Sequence, residues 1–232
     1  MSLELFIEEV KKLGINLTEE QLEKLDKFYN LLITWNNKIN LTRIIEKEDV
    51  YLKHFYDSLT LIKVIDLNKD LTLCDIGTGA GFPGIVLKIV FPNLKITLID
   101  SLNKRINYLN EVINELELTN IKTVHDRAED YAKNHREEFD VVTSRAVANL
   151  KVLSEISLPM VKVDGYFIPM KASIEEELKD SKDIIHKLSG KLERQETFYL
   201  PIENSIRNIL LIKKVDKTNP VYPRRMDKIK NN

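Results

Sequence analysis

Cysteine is almost missing from this chain. Cys74 is the single one among 232 residues, so no intramolecular disulfide can close and no cysteine-rich metal site can form. Glycine is scarce at seven residues, and four of the seven fall within 77–84. Long hydrophobic runs are absent as well. The uncharged stretch from Ile76 ends at Lys88, far short of a membrane span. Glu4, Glu8 and Glu9 stand where a secretory leader would be cationic and then apolar. Those two absences predict a cytoplasmic location. No strong charge of one sign is present either, since 35 Lys and Arg face 36 Asp and Glu. The four histidines, His54, His125, His135 and His186, show no ligand spacing, and no metal is expected.

What is present suits a globular protein. A content of 43% apolar and 31% charged residues excludes a wholly disordered or fibrous chain. A chain of this length buries roughly 70% of its unfolded surface and needs no staples. Charge is uneven along the sequence. Residues 213–232 carry seven basic and two acidic side chains, an arrangement that suits either a polyanion contact or a solvated terminus. No face has a surplus of apolar residues, which predicts a monomer.

Residues 1–70 read as a helical extension. Leu3, Phe6, Ile7 and Val10 share one helical face, and Thr18 with Gln21 forms a capping-box pattern opening a long helix through Trp35. Trp35 on that apolar face reads as core. The asparagine-rich residues 36–43 predict a break, and a third helix is expected over 50–65. From residue 71 to 215 short strands alternate with helices. Strands are expected at 71–76, 94–100, 121–125, 139–144, 165–170, 193–200 and 208–215. Helices are expected at 83–90, 103–117, 128–133, 150–161 and 173–188. The alternation predicts an α/β fold with a doubly wound, mostly parallel sheet. Residues 216–232 form a basic tail.

The first of these strands runs into Gly77-Thr78-Gly79-Ala80-Gly81-Phe82-Pro83-Gly84 and then a helix, the context a nucleotide-binding loop requires. Phe82 stands where the dinucleotide fingerprint has its third glycine, and a Walker Gly-Lys-Ser/Thr ending is absent. Asp100 closes the second strand 21 residues after Gly79, where a carboxylate can bind ribose hydroxyls. Loop and acid together suit an adenosine ligand without the pyrophosphate of NAD, such as S-adenosylmethionine. Asp75 serves either as a strand-end cap or as the group that attracts the ligand's ammonium.

Several further segments accompany the loop: Trp35-Asn36 with Asn40-Leu41-Thr42, His54-Phe55-Tyr56-Asp57-Ser58-Leu59, Asp100-Ser101 with Lys104-Arg105, Arg127-Ala128-Glu129, Ser144-Arg145-Ala146 and Pro169-Met170-Lys171. With them the chain resembles the bacterial 16S rRNA guanine-N7 methyltransferase family, once called glucose-inhibited division protein B. That family belongs to the Class I S-adenosylmethionine-dependent methyltransferases. The resemblance implies a seven-stranded Rossmann-like sheet and a cofactor, S-adenosylmethionine, converted to S-adenosylhomocysteine. It implies that Gly77, Gly79 and Phe82 line the cofactor, that Asp100 holds the ribose, and that Ala128 and Glu129 reach the adenine. Arg145 would belong to the cofactor and substrate pocket, and His54 and Asp57 would help shape it.

The implied substrate is a guanine of 16S rRNA, free or in the small ribosomal subunit. Lys104, Arg105, Lys171, Arg224 and Arg225 are candidates for its phosphates. Ring nitrogen 7 of guanine has a free lone pair and no proton to lose, so an in-line displacement needs no general base. The Asn/Asp-Pro-Pro-aromatic signature of exocyclic-amine methyltransferases is absent, and Cys74 inside a strand does not suit a cysteine nucleophile. Tyr222-Pro223-Arg224-Arg225 resembles the start of the family's basic ending, but Met226-Asp227-Lys228-Ile229-Lys230 departs from its glycine- and proline-containing finish. Three other readings stand beside this one. They are a methyltransferase of small molecules or proteins, a nicotinamide-dependent oxidoreductase, and a non-catalytic RNA-binding factor.

Overall fold

A computed structural model describes residues 1–145 and 147–230. Ala146 of the Ser144-Arg145-Ala146 segment lies outside the described residues. Helix α1 (Leu3–Lys12) starts where the Ser2 side chain accepts from the Leu5 amide, and it buries Phe6 and Val10. Helix α2 (Glu19–Ile39) opens on the full Thr18/Gln21 capping box. It continues past Trp35, through residues where the asparagines predicted a break. The reason lies in the direction of one side chain. Asn36 reaches forward, and its Oδ1 accepts from the amides of Leu41 (2.6 Å) and Thr42 (2.8 Å), so it braces the following loop instead of competing with its own turn. Asn40, left-handed at φ 49°, ends the helix.

The expected helix over 50–65 starts earlier and changes pitch. It comprises α3 (Lys47–Val50), a π-helical stretch (Tyr51–Tyr56), α4 (Asp57–Leu59) and a 3-10 turn (Thr60–Lys63). Tyr51, Leu52, His54, Phe55 and Tyr56 of the π stretch are all buried, more than one face of a regular helix could cover. The segment lies in the interior and delivers His54 and Asp57 to the sheet's edge.

The alternating region runs β1 (Thr72–Ile76), α5 (Gly84–Val90), β2 (Lys95–Asp100), α6 (Asn103–Glu115), β3 (Ile121–His125), α7 (Ala128–Asn134), β4 (Phe139–Arg145), α8 (Leu150–Ser157), β5 (Val161–Lys171), α9 (Glu175–Lys187), β6 (Gly190–Tyr199) and β7 (Ile206–Lys214), with α10 (Met226–Lys230) in the tail. The seven strands form one sheet in the order β3-β2-β1-β4-β5-β7-β6. The β1–β5 neighbours pair in parallel, and β7 is antiparallel to both β5 and β6. Helix α8 is shorter than expected because Pro159, in a 3-10 turn, ends it and lets β5 begin at Val161.

Side chains alternate across β1, so Leu73 joins one core and Cys74 the other. The first core merges the N-terminal helices with the sheet. Phe28 stacks on Phe55 at 5.6 Å and lies 5.4 Å from Phe82 of the glycine loop. The second core lies on the opposite face, under α7, α8 and α9. Among the described residues no helix is long and apolar enough to cross a membrane.

Candidate functional site

The glycine loop leaves the carboxyl end of β1 at the middle of the sheet, where strand order reverses and open α/β sheets bind ligands. Gly79 adopts φ 59°, which an L side chain resists, and its amide donates to Asp100 Oδ2 at 3.0 Å. The Thr78 amide donates to the Ile99 carbonyl at 3.1 Å, so the loop is tied to the end of β2. Asp75 lies fully buried beneath it. Its Oδ2 accepts from Thr78 Oγ1 (2.8 Å) and the Gly84 amide (2.9 Å), while Oδ1 has no partner among the described residues. Burial pushes this carboxyl up to about 7, against the pull of those hydrogen bonds.

Two contiguous cavities follow the loop. One of about 380 Å³ is lined by Thr42, His54, Gly77, Gly79, Phe82, Asp100, Arg105 and Arg145. The other, about 240 Å³, shares Gly77 and Asp100 and extends to Ala128, Glu129, Val152 and Met226. Phe82, Ala128, Glu129, Asp100 and both glycines are thus brought to one cleft. Asp75 lies under the cleft rather than on its wall. Asp100 is well held: Oδ1 accepts from the Leu102 amide at 2.9 Å, and Oδ2 also meets Arg105 Nη1 at 3.2 Å.

Arg145 ends β4 and joins this cleft to a third cavity. Its Nη1 donates to Asp57 Oδ2 and the Lys53 carbonyl, both at 3.0 Å, and its Nη2 donates to His54 Nδ1 at 2.8 Å. A guanidinium cannot accept, so Nδ1 of His54 is the unprotonated nitrogen and Nε2 carries the hydrogen toward Thr42 Oγ1, 3.0 Å away. Burial, reinforced by Arg145, pulls His54 down to about 3. The imidazole is neutral and lies flat on Phe82, with ring centres 4.3 Å apart. The guanidinium sits over the same phenyl ring at 5.2 Å.

The third cavity, about 400 Å³, opens on the far side of His54, Asp57 and Arg145. Met170, Lys171, Phe198, Arg207 and Asn208 are among the other residues of its wall. The sequence singled out neither Phe198 nor Arg207. Arg207 Nε donates to Asp57 Oδ1 at 3.2 Å, so Asp57 bridges two arginines. Nothing local marks Arg207, which stands 150 positions from its partner.

The phosphate candidates scatter. Lys104 is exposed at the start of α6. Arg105 turns inward to Asp100. Lys171 is bound to the Ala148 carbonyl and to Glu177, where it braces the loop after β4. Arg224 is bound to Glu155, which is fully buried. Arg225 is exposed, 3.4 Å from Asp227. Trp35 is half-buried and donates to Glu111 Oε1 at 2.9 Å. Among the described residues no three His, Cys, Asp or Glu side chains converge on a metal position.

The strand order with its reversed β7, and the glycine loop at the end of β1, define a Rossmann-like S-adenosylmethionine-dependent methyltransferase fold. Solved structures agree on the fold. A SAM-dependent methyltransferase from Aquifex aeolicus matches with a TM-score of 0.54 at 20% identity, over 73% of this chain and 94% of that one. M. jannaschii TYW2 in complex with AdoMet matches with a TM-score of 0.51 at 17% identity, over 64% and 71%.

Sequence comparison narrows the class. The model of the rRNA small subunit methyltransferase G family matches residues 21–206. Ribosomal RNA small subunit methyltransferase G of Bacillus licheniformis is 50% identical over 228 residues, 97% of this chain and 95% of that protein. The protein so described from Oceanobacillus iheyensis is 51% identical, over 97% and 96%. The chain belongs to the rRNA small subunit methyltransferase G family, and is therefore a methyltransferase.

Proposed function

We propose that the protein transfers a methyl group from S-adenosylmethionine to ring nitrogen 7 of a guanine in small-subunit rRNA, without a general base, in the cytoplasm. The observation that carries this reading is the shared wall. His54 and Arg145 face both the glycine-loop cleft and the 400 Å³ cavity, so two ligands can meet across them.

The residues fit the cofactor. Asp75, whose buried Oδ1 has no partner among the described residues, lies beneath the cleft, from where its charge would attract an ammonium. Asp100 ends β2 with its carboxylate on the cleft, toward which ribose hydroxyls would donate. Glu129 marks the polar end of a largely apolar slot beside Ala128, suited to an adenine with its exocyclic amine. Gly77 and Gly79 allow close approach to the loop backbone. The cofactor, when bound, supplies an electrophilic methyl group.

Everything else falls to the chain. Arg145 is held by Asp57, Lys53 and His54 and stacked over Phe82, so its position is set before substrate arrives. His54 cannot take a proton at neutral pH, because its one free lone pair already accepts from Arg145. Guanine N7 asks for none. Its lone pair would form the new bond to the methyl carbon as that carbon's bond to sulfur breaks, the pair staying with S-adenosylhomocysteine; the purine would take the positive charge, and no proton moves. The 400 Å³ cavity accommodates an unstacked base, with Phe198 offering an aromatic face and Arg207 and Asn208 offering polar groups.

The test is transfer of labelled methyl to small subunits and to protein-free rRNA from a strain lacking the enzyme, followed by digestion to nucleosides. We expect stoichiometric 7-methylguanosine from the parent protein and a deep loss with Asp100→Ala. Label in another nucleoside, or none despite cofactor binding, contradicts the assignment.

A further inference from the structure

The C-terminal segment reads in the sequence as a basic tail, but its docked structure is specific. The backbone carbonyls of Thr218 and Tyr222 accept from Arg136, and Thr218 Oγ1 donates to the Leu188 carbonyl at 2.8 Å. Arg224 makes three hydrogen bonds to Glu155, from its amide (2.9 Å), Nε (2.8 Å) and Nη2 (2.7 Å). Glu155 is completely buried, and a buried carboxylate without its cation is strongly disfavoured, so this pair pins the segment to α8. One short turn further on, Ile229 is buried in the second core. Met226 lies between these two anchors and faces the slot that contains Glu129, together with Ile99, Val147, Val152 and Ile156.

We propose that the docked C-terminal segment is a wall of the cofactor site, in which Met226 covers the adenine and cofactor and tail hold each other in place. The proposal rests on the cofactor reading given above. A thioether suits the position because it is apolar, adaptable in shape and favourable against an aromatic ring. The anchors fix where Met226 sits, so its contact with the ligand needs little further ordering of the chain. Coupling is reciprocal: a tail that favours the cofactor must be favoured by it. Of residues 226–230, Met226 is the one that lines the slot.

The test combines binding with protection. Titration calorimetry with S-adenosylhomocysteine compares the parent, Met226→Ala and Met226→Leu. Trypsin cleavage after the exposed Arg225 is timed with and without saturating S-adenosylhomocysteine. We expect Met226→Ala to weaken binding about five- to tenfold, the worth of one to two buried methylene groups, and Met226→Leu to stay within about twofold of the parent. Cleavage after Arg225 should slow at least about threefold on saturation, since the ligand favours the docked tail. Unchanged affinity in Met226→Ala with unchanged cleavage overturns the proposal and leaves the cofactor reading intact. A parent protein that binds no S-adenosylhomocysteine overturns both.

Discussion

Asp75 and His54 are buried titratable groups displaced in opposite senses, each with a measurable consequence. The carboxyl of Asp75 is pushed by burial to about 7 from an ordinary 3.8. Between those values the folded chain holds a proton that the unfolded chain releases, so this group's share of stability is present at low pH and is lost as pH rises toward 7. An ammonium held in the cleft above it would oppose that preference by favouring the carboxylate. Affinity for S-adenosylmethionine should therefore fall as pH drops from 8 to 6. Asp75→Asn should flatten that dependence and weaken binding at pH 8 by about threefold or more, since it removes a negative charge beneath the cleft. Calorimetry at several pH values checks both. Equal affinity and slope in the variant would leave Asp75 as a strut between Thr78 and Gly84 only.

His54 is pulled from an ordinary 6.5 to about 3, so its contribution to stability is present above 6.5 and lost as pH falls toward 3. Its ring proton resonances should show no titration between pH 5 and 8. At this scale the sequence was legible where the residues of the cleft lie close in the chain. Gly77, Gly79 and Asp100 announce themselves by spacing. The partnership of Asp57 with Arg145 and Arg207, 88 and 150 positions away, leaves no local pattern to read.

At the scale of elements, alternation of strands and helices was visible because apolar period and turn residues change together. Boundaries were less so. Helix α2 outruns its expected end because a side chain that usually weakens helices can point past the terminus, as Asn36 does. Asn36→Ala leaves two loop amides without their acceptor and should cost about 1 to 2 kcal/mol in urea unfolding. It should also loosen Thr42, the partner of His54 Nε2. A change below about 0.3 kcal/mol would show that water replaces the side chain at no cost. The π-helical stretch Tyr51–Tyr56 was unreadable, because its near-continuous burial imitates an ordinary helix seen without its neighbours.

At the scale of the whole molecule, charge counting overstated the tail. Of the basic residues from 213 onward, Lys213 pairs with Asp164, Lys214 is buried on the Leu158 and Val161 carbonyls, and Arg224 is bound to Glu155. Those cations hold the terminus to the sheet and to α8. What unites the molecule is Arg145, at the junction of glycine-loop cleft, third cavity and N-terminal helices. The central claim is that methyl transfer there proceeds by positioning alone. Its most direct test is the pH dependence of single-turnover methyl transfer at saturating S-adenosylmethionine and small subunits, for the parent and His54→Gln. Profiles should be flat from pH 6 to 9 in both, with the variant slower throughout because Arg145 has lost a partner. A limb near 6.5 in the parent that disappears in the variant would contradict it, and would make His54 a base.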